Sequence, residues 1–179
     1  DHLNNQSDYK LIIDEHKLHD GSWDWNSYIL KGKKQADFAI NCPHTTTILE
    51  SIPSLMHSVP FSYTFFSTLK AGTKISPHYG PCNIRLRCHL PLIIPEGDCG
   101  MNIAGINVKW EVGVPLIFDD TYEHYVWNNT NEDRVILLFD MWHPELIPEE
   151  IEAIIGMFSE AEEQRKRNRN NLEDRIKSL

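Results

Sequence analysis

The chain has 179 residues, 41% of them hydrophobic and 24% charged, which is enough apolar material for the buried core of one domain. A net charge of -9 and a pI near 5.4 argue against a general nucleic-acid binder or a protein of anionic membrane surfaces. No run reaches the length of a transmembrane helix, and the start at Asp1 carries neither a basic segment nor an apolar signal core.

Residues 1–20 read as a polar lead-in in which His2, His16 and His19 show no metal-ligand spacing. A central domain is expected over 21–158 and a charged helix or tail over 159–179. Trp23 and Trp25 open the central domain and, on their own, read as core aromatics. A short helix is expected from Thr45 through Glu50, ending near Pro53 with a further turn to His57. Residues 59–69 are rich in aromatic and β-branched types and predict a strand, on which Ser67 is a sheet hydroxyl.

The stretch 84–90 alternates. Arg85, Arg87 and His89 share one face of a strand, and Ile84, Leu86, Cys88 and Leu90 share the other. The cationic face either lines a cavity that receives anions or meets water. Upstream stands His78. A second histidine, His124, lies on a short strand, 123–127, behind a turn made by Asp119, Asp120 and Thr121. Imidazole is a ligand for iron, zinc, copper and nickel, and non-haem iron(II) oxygenases use two histidines with one carboxylate. That carboxylate sits two residues after the first histidine, a position held here by Gly80. Arg134 opens the strand 134–141 after a turn over 128–133. A hairpin there would set its guanidinium beside the His124 strand, ready for a bidentate grip on a dicarboxylate.

Prolines within 90–95 suit an edge or a bulge, and a hairpin is expected over 101–111. Short strands and turns from 59 to 142 predict a double-sheet jelly roll or barrel. Pro148, Glu149 and Glu150 start a helix whose Ile151, Ile154, Ile155 and Phe158 keep helical spacing. Beyond it, Arg165, Lys166 and Arg167 are flanked by acids and read as a solvated face. Cys82 and Cys88, placed on one extended strand, stand roughly 20 Å apart, too far to pair. Free thiols are expected there, with Cys42 and Cys99 unplaced. Asn128, Asn129 and Thr130 spell a glycosylation triplet.

A long ordered set of residues, roughly within 20–148, resembles the catalytic domain of the aspartyl/asparaginyl β-hydroxylases. It comprises Ser67, Ala71-Gly72-Thr73, Pro77-His78, Gly80-Pro81, Asn83, Arg85-Leu86-Arg87, His89, Ile94-Pro95, Leu116-Ile117-Phe118-Asp119-Asp120, Glu123-His124, Val126-Trp127, Arg134 and Trp142-His143-Pro144-Glu145-Leu146. That family is iron(II)- and 2-oxoglutarate-dependent and also lacks the carboxylate ligand. The resemblance implies a mostly β, cupin-like double-stranded β-helix with flanking N-terminal and C-terminal helices. It implies iron ligation and catalysis by His78 and His124, and cosubstrate binding by His89 at the near carboxylate of 2-oxoglutarate and by Arg134 with Ser67 at the far one. Trp23 matches a family tryptophan near the site. Arg85 and Arg87 would hold the substrate.

The implied reaction uses O2 to hydroxylate the β carbon of aspartyl or asparaginyl residues in a protein or peptide partner, such as an EGF-like domain. No nucleic acid and no membrane span in this chain are expected. The compartment is the endoplasmic reticulum lumen if the family pattern holds, and the cytoplasm otherwise. Related hydroxylases act on lipid acyl chains, and a small amino-acid derivative is a further substrate option. Halogenation, a non-catalytic cupin-like binding module, and a zinc hydrolase using Glu123 as base are the other readings.

Overall fold

The computed structural model describes residues 18–177, so His2 and His16 fall outside it. The elements run β1 (His19–Asp20), β2 (Trp23–Leu30), β3 (Lys33–Lys34), α1 (Ala36–Asn41), α2 (Pro43–Glu50), β4 (Thr64–Leu69), β5 (Lys74–His78) and β6 (Arg85–Ile93). They continue with β7 (Cys99–Ile103), β8 (Ile106–Val108), β9 (Leu116–Phe118), β10 (His124–Asn128), β11 (Arg134–Trp142) and α3 (Pro148–Lys177). The strands form two antiparallel sheets, one ordered β1-β5-β10-β7-β8 and the other β3-β2-β4-β11-β6-β9. The fold is mostly β, a two-sheet cupin-like architecture with a C-terminal helix.

Register decides which side chains face the interior. In the six-stranded sheet Trp25 pairs with Ser67, Ser67 with Ile136, Leu138 with His89, and Asp140 with Arg87. Because alternate residues share a face, the cationic face of β6 turns inward, against the other sheet. The opposite face carries Cys88, Leu137 and Phe139 and is roofed by Phe38 of α1 and Leu49 of α2. Between the sheets, Leu69, Ile75, Met101, Trp110, Phe118 and Val126 form a second apolar cluster.

Several expectations about boundaries change. The strand begins at Thr64 rather than 59, because Ser62 N–H closes a turn onto the Val59 carbonyl. Helix α1 has no side-chain cap and buries only Phe38, so its sequence carries little signal. The β7–β8 hairpin turns tightly through Ala104 and Gly105, both with positive φ (51° and 84°). Strands β10 and β11 are not a hairpin. They lie in different sheets, and the segment between them arches from one sheet to the other. The glycosylation triplet is closed to modification because Asn128 is fully buried and its side-chain amide donates to the carbonyls of Leu69, Lys70 and Glu132. Cys82 precedes β6, and all four cysteines are free thiols.

Helix α3 starts as its sequence reads, with Pro148 in the first turn and the Glu150 carboxylate accepting from the Ile147 N–H at 3.0 Å. Ile151, Ile154, Ile155 and Phe158 pack on Met56, Val59 and Trp142. The helix runs past 158 without interruption, its exposed half laced by Lys166–Glu162 and Arg167–Glu163 pairs. Among the described residues no helix is long and apolar enough to cross a membrane.

Candidate active site

The five-stranded sheet sets His78 directly opposite His124, where β5 leaves β10 at a bulge, and their ring centroids are 4.1 Å apart. Both rings use Nδ1 on backbone carbonyls, His78 on Ser76 at 2.8 Å and His124 on Tyr122 at 2.9 Å. A carbonyl only accepts, so each Nδ1 carries the proton and each Nε2 keeps a free lone pair. Two imidazoles so oriented are a ready pair of metal ligands.

Burial, then the neighbouring His78, pushes His124 down to about 4, and burial lowers His78 as well. Between that value and the ordinary 6.5 the unfolded chain binds the proton that folded His124 refuses. The stability of the metal-free protein is therefore complete above 6.5 and falls as pH drops through this window. Urea unfolding should lose on the order of 1–2 kcal/mol between pH 7 and pH 5. The His124→Gln variant should lose less, and equal losses in both proteins would remove His124 as the cause.

Gly80 explains the missing carboxylate in steric terms. A Cβ at this position would stand 2.4 Å from Cγ and Oδ1 of Asp120, and Gly80 N–H donates to the Asp120 carbonyl at 2.5 Å. The volume a side chain would need is already filled by a carboxylate from the other side.

That carboxylate belongs to a buried ionic quartet. Arg85 donates through Nη2 to Asp120 at 2.6 Å and through Nη1 to Asp140 at 3.1 Å, and it also bonds the Phe61 carbonyl. Arg87 reaches Asp140 through Nε at 2.9 Å and Asp120 through Nη1 at 3.3 Å. Both aspartates are fully buried. Burial raises the Asp120 carboxyl, but Arg87 and Arg85 together outweigh it and hold the group below its usual range. Arg85 is 2% exposed with all three nitrogens engaged, whereas the Arg87 side chain keeps 15% of its surface open. Trp25, Phe61, Tyr63 and Phe65 wall the pocket in front of Arg87 and His78.

From the opposite sheet, Arg134 enters a buried recess. It is 1% exposed, and Nη1 donates to Ser67 Oγ at 3.1 Å and to the Ser67 carbonyl at 3.3 Å. Among the described residues no carboxylate neutralises it, and burial lowers its pKa to about 10. Trp23 Nε1 also donates to Ser67 Oγ, at 2.8 Å. Both lone pairs of that hydroxyl are thus taken, and its own proton is left to donate. His89 is 5% exposed and kept neutral, by burial first and then by Arg134. Phe118 lies edge-on to both His89 (5.0 Å) and His124 (5.6 Å), which joins the recess to the histidine pair. A buried cation without a counter-ion, beside a neutral imidazole and a primed hydroxyl, has the chemistry to receive an anion.

The chain matches the family model described as aspartyl/asparaginyl beta-hydroxylase over residues 1–144. The chain belongs to the aspartyl/asparaginyl β-hydroxylase family. The human aspartyl/asparaginyl beta-hydroxylase is 36% identical over 140 residues, covering 78% of this chain and 18% of that protein. The ornithine lipid ester-linked acyl 2-hydroxylase of Rhizobium tropici is 36% identical over 124 residues, covering 67% of this chain and 42% of that protein. The chain thus spans less than half the length of either. Among solved structures, the Schizosaccharomyces pombe Cnp3 cupin domain aligns with TM-score 0.42 at 10% identity, over 70% of this chain and 68% of that one. A crystal structure of a predicted oxalate decarboxylase from Thermotoga maritima aligns with TM-score 0.44 at 13% identity, over 70% and 84%. At that distance the fold is read from the strand pairing of the chain itself.

In this β-hydroxylase family member, most of the residues singled out in the sequence come together between the sheets. His78 and His124 pair, Ser67, His89 and Trp23 gather around the buried Arg134 guanidinium, and Arg87 opens on the pocket. Arg85 sits behind it in the ionic quartet. Glu123, the general base of the zinc hydrolase reading, is exposed and accepts from the Tyr79 hydroxyl at 2.9 Å. Among the described residues no third His, Cys, Asp or Glu completes a three-ligand set. Sequence reasoning missed Asp140, although a lone acid inside the apolar run of β11 was the available signal. The turn role that the sequence suggests for Asp119 and Asp120 fits Asp119, whose Oδ1 accepts from Thr121, better than its neighbour.

Proposed function

We propose that this chain is an iron(II)- and 2-oxoglutarate-dependent dioxygenase domain that hydroxylates the β carbon of aspartyl or asparaginyl residues in a protein or peptide. The observation that carries this reading is the pairing of two Nε2-free histidines with an adjoining buried guanidinium that has no counter-ion. The residues fit the implied groups. His78 and His124 would hold iron, and the buried Nε of Arg134 and Nδ1 of His89 have no hydrogen-bond partner among the described residues. Bound iron with 2-oxoglutarate supplies the oxygen-activating chemistry.

The rest is done by the side chains. Arg134 and the Ser67 hydroxyl grip the far carboxylate of 2-oxoglutarate, and Trp23 fixes that hydroxyl. His89, neutral, donates to the near carboxylate. Arg87 faces the substrate carboxylate or amide, its plane set by Asp120 and Asp140, and Arg85 holds those two aspartates in place. The aromatic wall and the acyl hydroxylase relative favour a second reading, the same chemistry on an acyl chain.

The test is anaerobic reconstitution with Fe(II), followed by oxygen-dependent conversion of 2-oxoglutarate to succinate with an aspartyl-containing EGF-like peptide or with an acyl lipid. Peptide-stimulated turnover with a hydroxylated product is expected, and His124→Ala should lower it by at least about a hundredfold. Stimulation by the lipid alone would move the reading to the acyl substrate. Failure to bind either iron or 2-oxoglutarate would sink both readings.

A further inference from the structure

Trp110, which follows β8, is used by none of the roles above. It is 6% exposed, yet its indole Nε1 is a buried donor without a partner among the described residues, as is Nε of Arg134, and Nδ1 of the neutral His89 is likewise unpaired. These three are neighbours. The Arg134 guanidinium carbon stands 5.0 Å over the Trp110 ring centroid, and the His89 ring lies 6.0 Å from it. Buried N–H groups in folded proteins are satisfied, so the orphaned N–H groups of Trp110 and Arg134, on neighbouring side chains beside the unpaired His89 Nδ1, point to one absent ligand that carries acceptor oxygens. An apolar core role accounts for the ring of Trp110, which packs with Leu69, Met101 and Phe118. It leaves the indole N–H, and the choice of this ring as the platform for an unpaired guanidinium, without explanation.

We infer that Trp110 is a cosubstrate-binding residue, its ring face holding the Arg134 guanidinium in register and its indole N–H donating to a carboxylate oxygen of the bound dicarboxylate. This rests on the proposed function, since it takes 2-oxoglutarate as the ligand. A tryptophan serves both needs at once, whereas phenylalanine would keep the platform and lose the donor.

The deciding experiment titrates the Zn(II)-loaded protein with 2-oxoglutarate while following the indole N–H resonances of its five tryptophans. The Trp110 resonance is assigned through its proximity to His89 and Arg134, so wild-type protein alone gives the answer. It is expected to move downfield on saturation. In Trp110→Phe, 2-oxoglutarate affinity should fall about tenfold, with kcat at saturation within about twofold of wild type. Trp110→Leu, which also removes the platform, should bind more weakly still. If 2-oxoglutarate binds while the Trp110 resonance stays fixed and Trp110→Phe binds as wild type, Trp110 is a core residue and the inference is overturned, with the proposed function intact. If wild type binds no 2-oxoglutarate, the proposed function falls and takes this inference with it.

Discussion

Arg134→Met is expected to leave the metal-free protein as stable as wild type, or more stable, while weakening 2-oxoglutarate binding by about a hundredfold or more. The two effects have one cause. Arg134 is a fully buried cation whose partners among the described residues are Ser67, through its hydroxyl and carbonyl, and the Trp110 ring. Its desolvation is uncompensated by any carboxylate among the described residues, which is why its pKa drops to about 10. A methionine of similar length removes that burden, and apolar replacements of buried charges are often neutral or stabilising. The dicarboxylate then loses its bidentate partner. Urea unfolding and calorimetric titration read the two effects separately, and added 2-oxoglutarate should raise the unfolding midpoint of wild type only. A loss of several kcal/mol in the variant would show that Arg134 is structural and would undercut the anion receptor.

Asp120→Ala should behave in the opposite way, costing about 3–5 kcal/mol of stability. Here the charges are matched, with Arg85 and Arg87 against Asp120 and Asp140. Removing one member leaves Arg85, 2% exposed, with only Asp140 and a carbonyl for its three nitrogens. The Asp120 carboxylate also fills the space beside Gly80, so alanine adds a void between the His78 and His124 strands. Asp120→Asn, which keeps the shape, should cost less. If Asp120→Ala unfolds at the same urea concentration as wild type, the quartet does not hold the site together.

The difference between the two buried arginines was not legible in the sequence. Arg85, Arg87 and His89 alternate visibly, so their common face could be read directly, as could the pairing of His78 with His124 and the long ordered match to the family. Local periodicity fixes which side chains share a face because the pleat repeats every two residues. Whether that face meets water, a counter-ion or an empty recess depends on what another strand brings up against it. Asp140 stands 53 residues from Arg87 and Asp120 stands 35 from Arg85, and no local pattern records such separations.

Connectivity between the sheets was hidden for a related reason. A short polar turn over 128–133 reads as a hairpin, but β11 finds its partners in β4 and β6, more than forty residues upstream, because its faces are apolar enough to be buried between them. By itself the sequence determined the two histidines that come to face each other, the alternating cationic face, the predominance of strands and the family. Only the tertiary structure decided that Arg134 approaches from the sheet opposite the histidines, that Arg85 is consumed by two aspartates while Arg134 is left unpaired, and that Trp110 joins the recess. These outcomes depend on desolvation and on charges brought together across sheets, and both are set by packing rather than by neighbours along the chain.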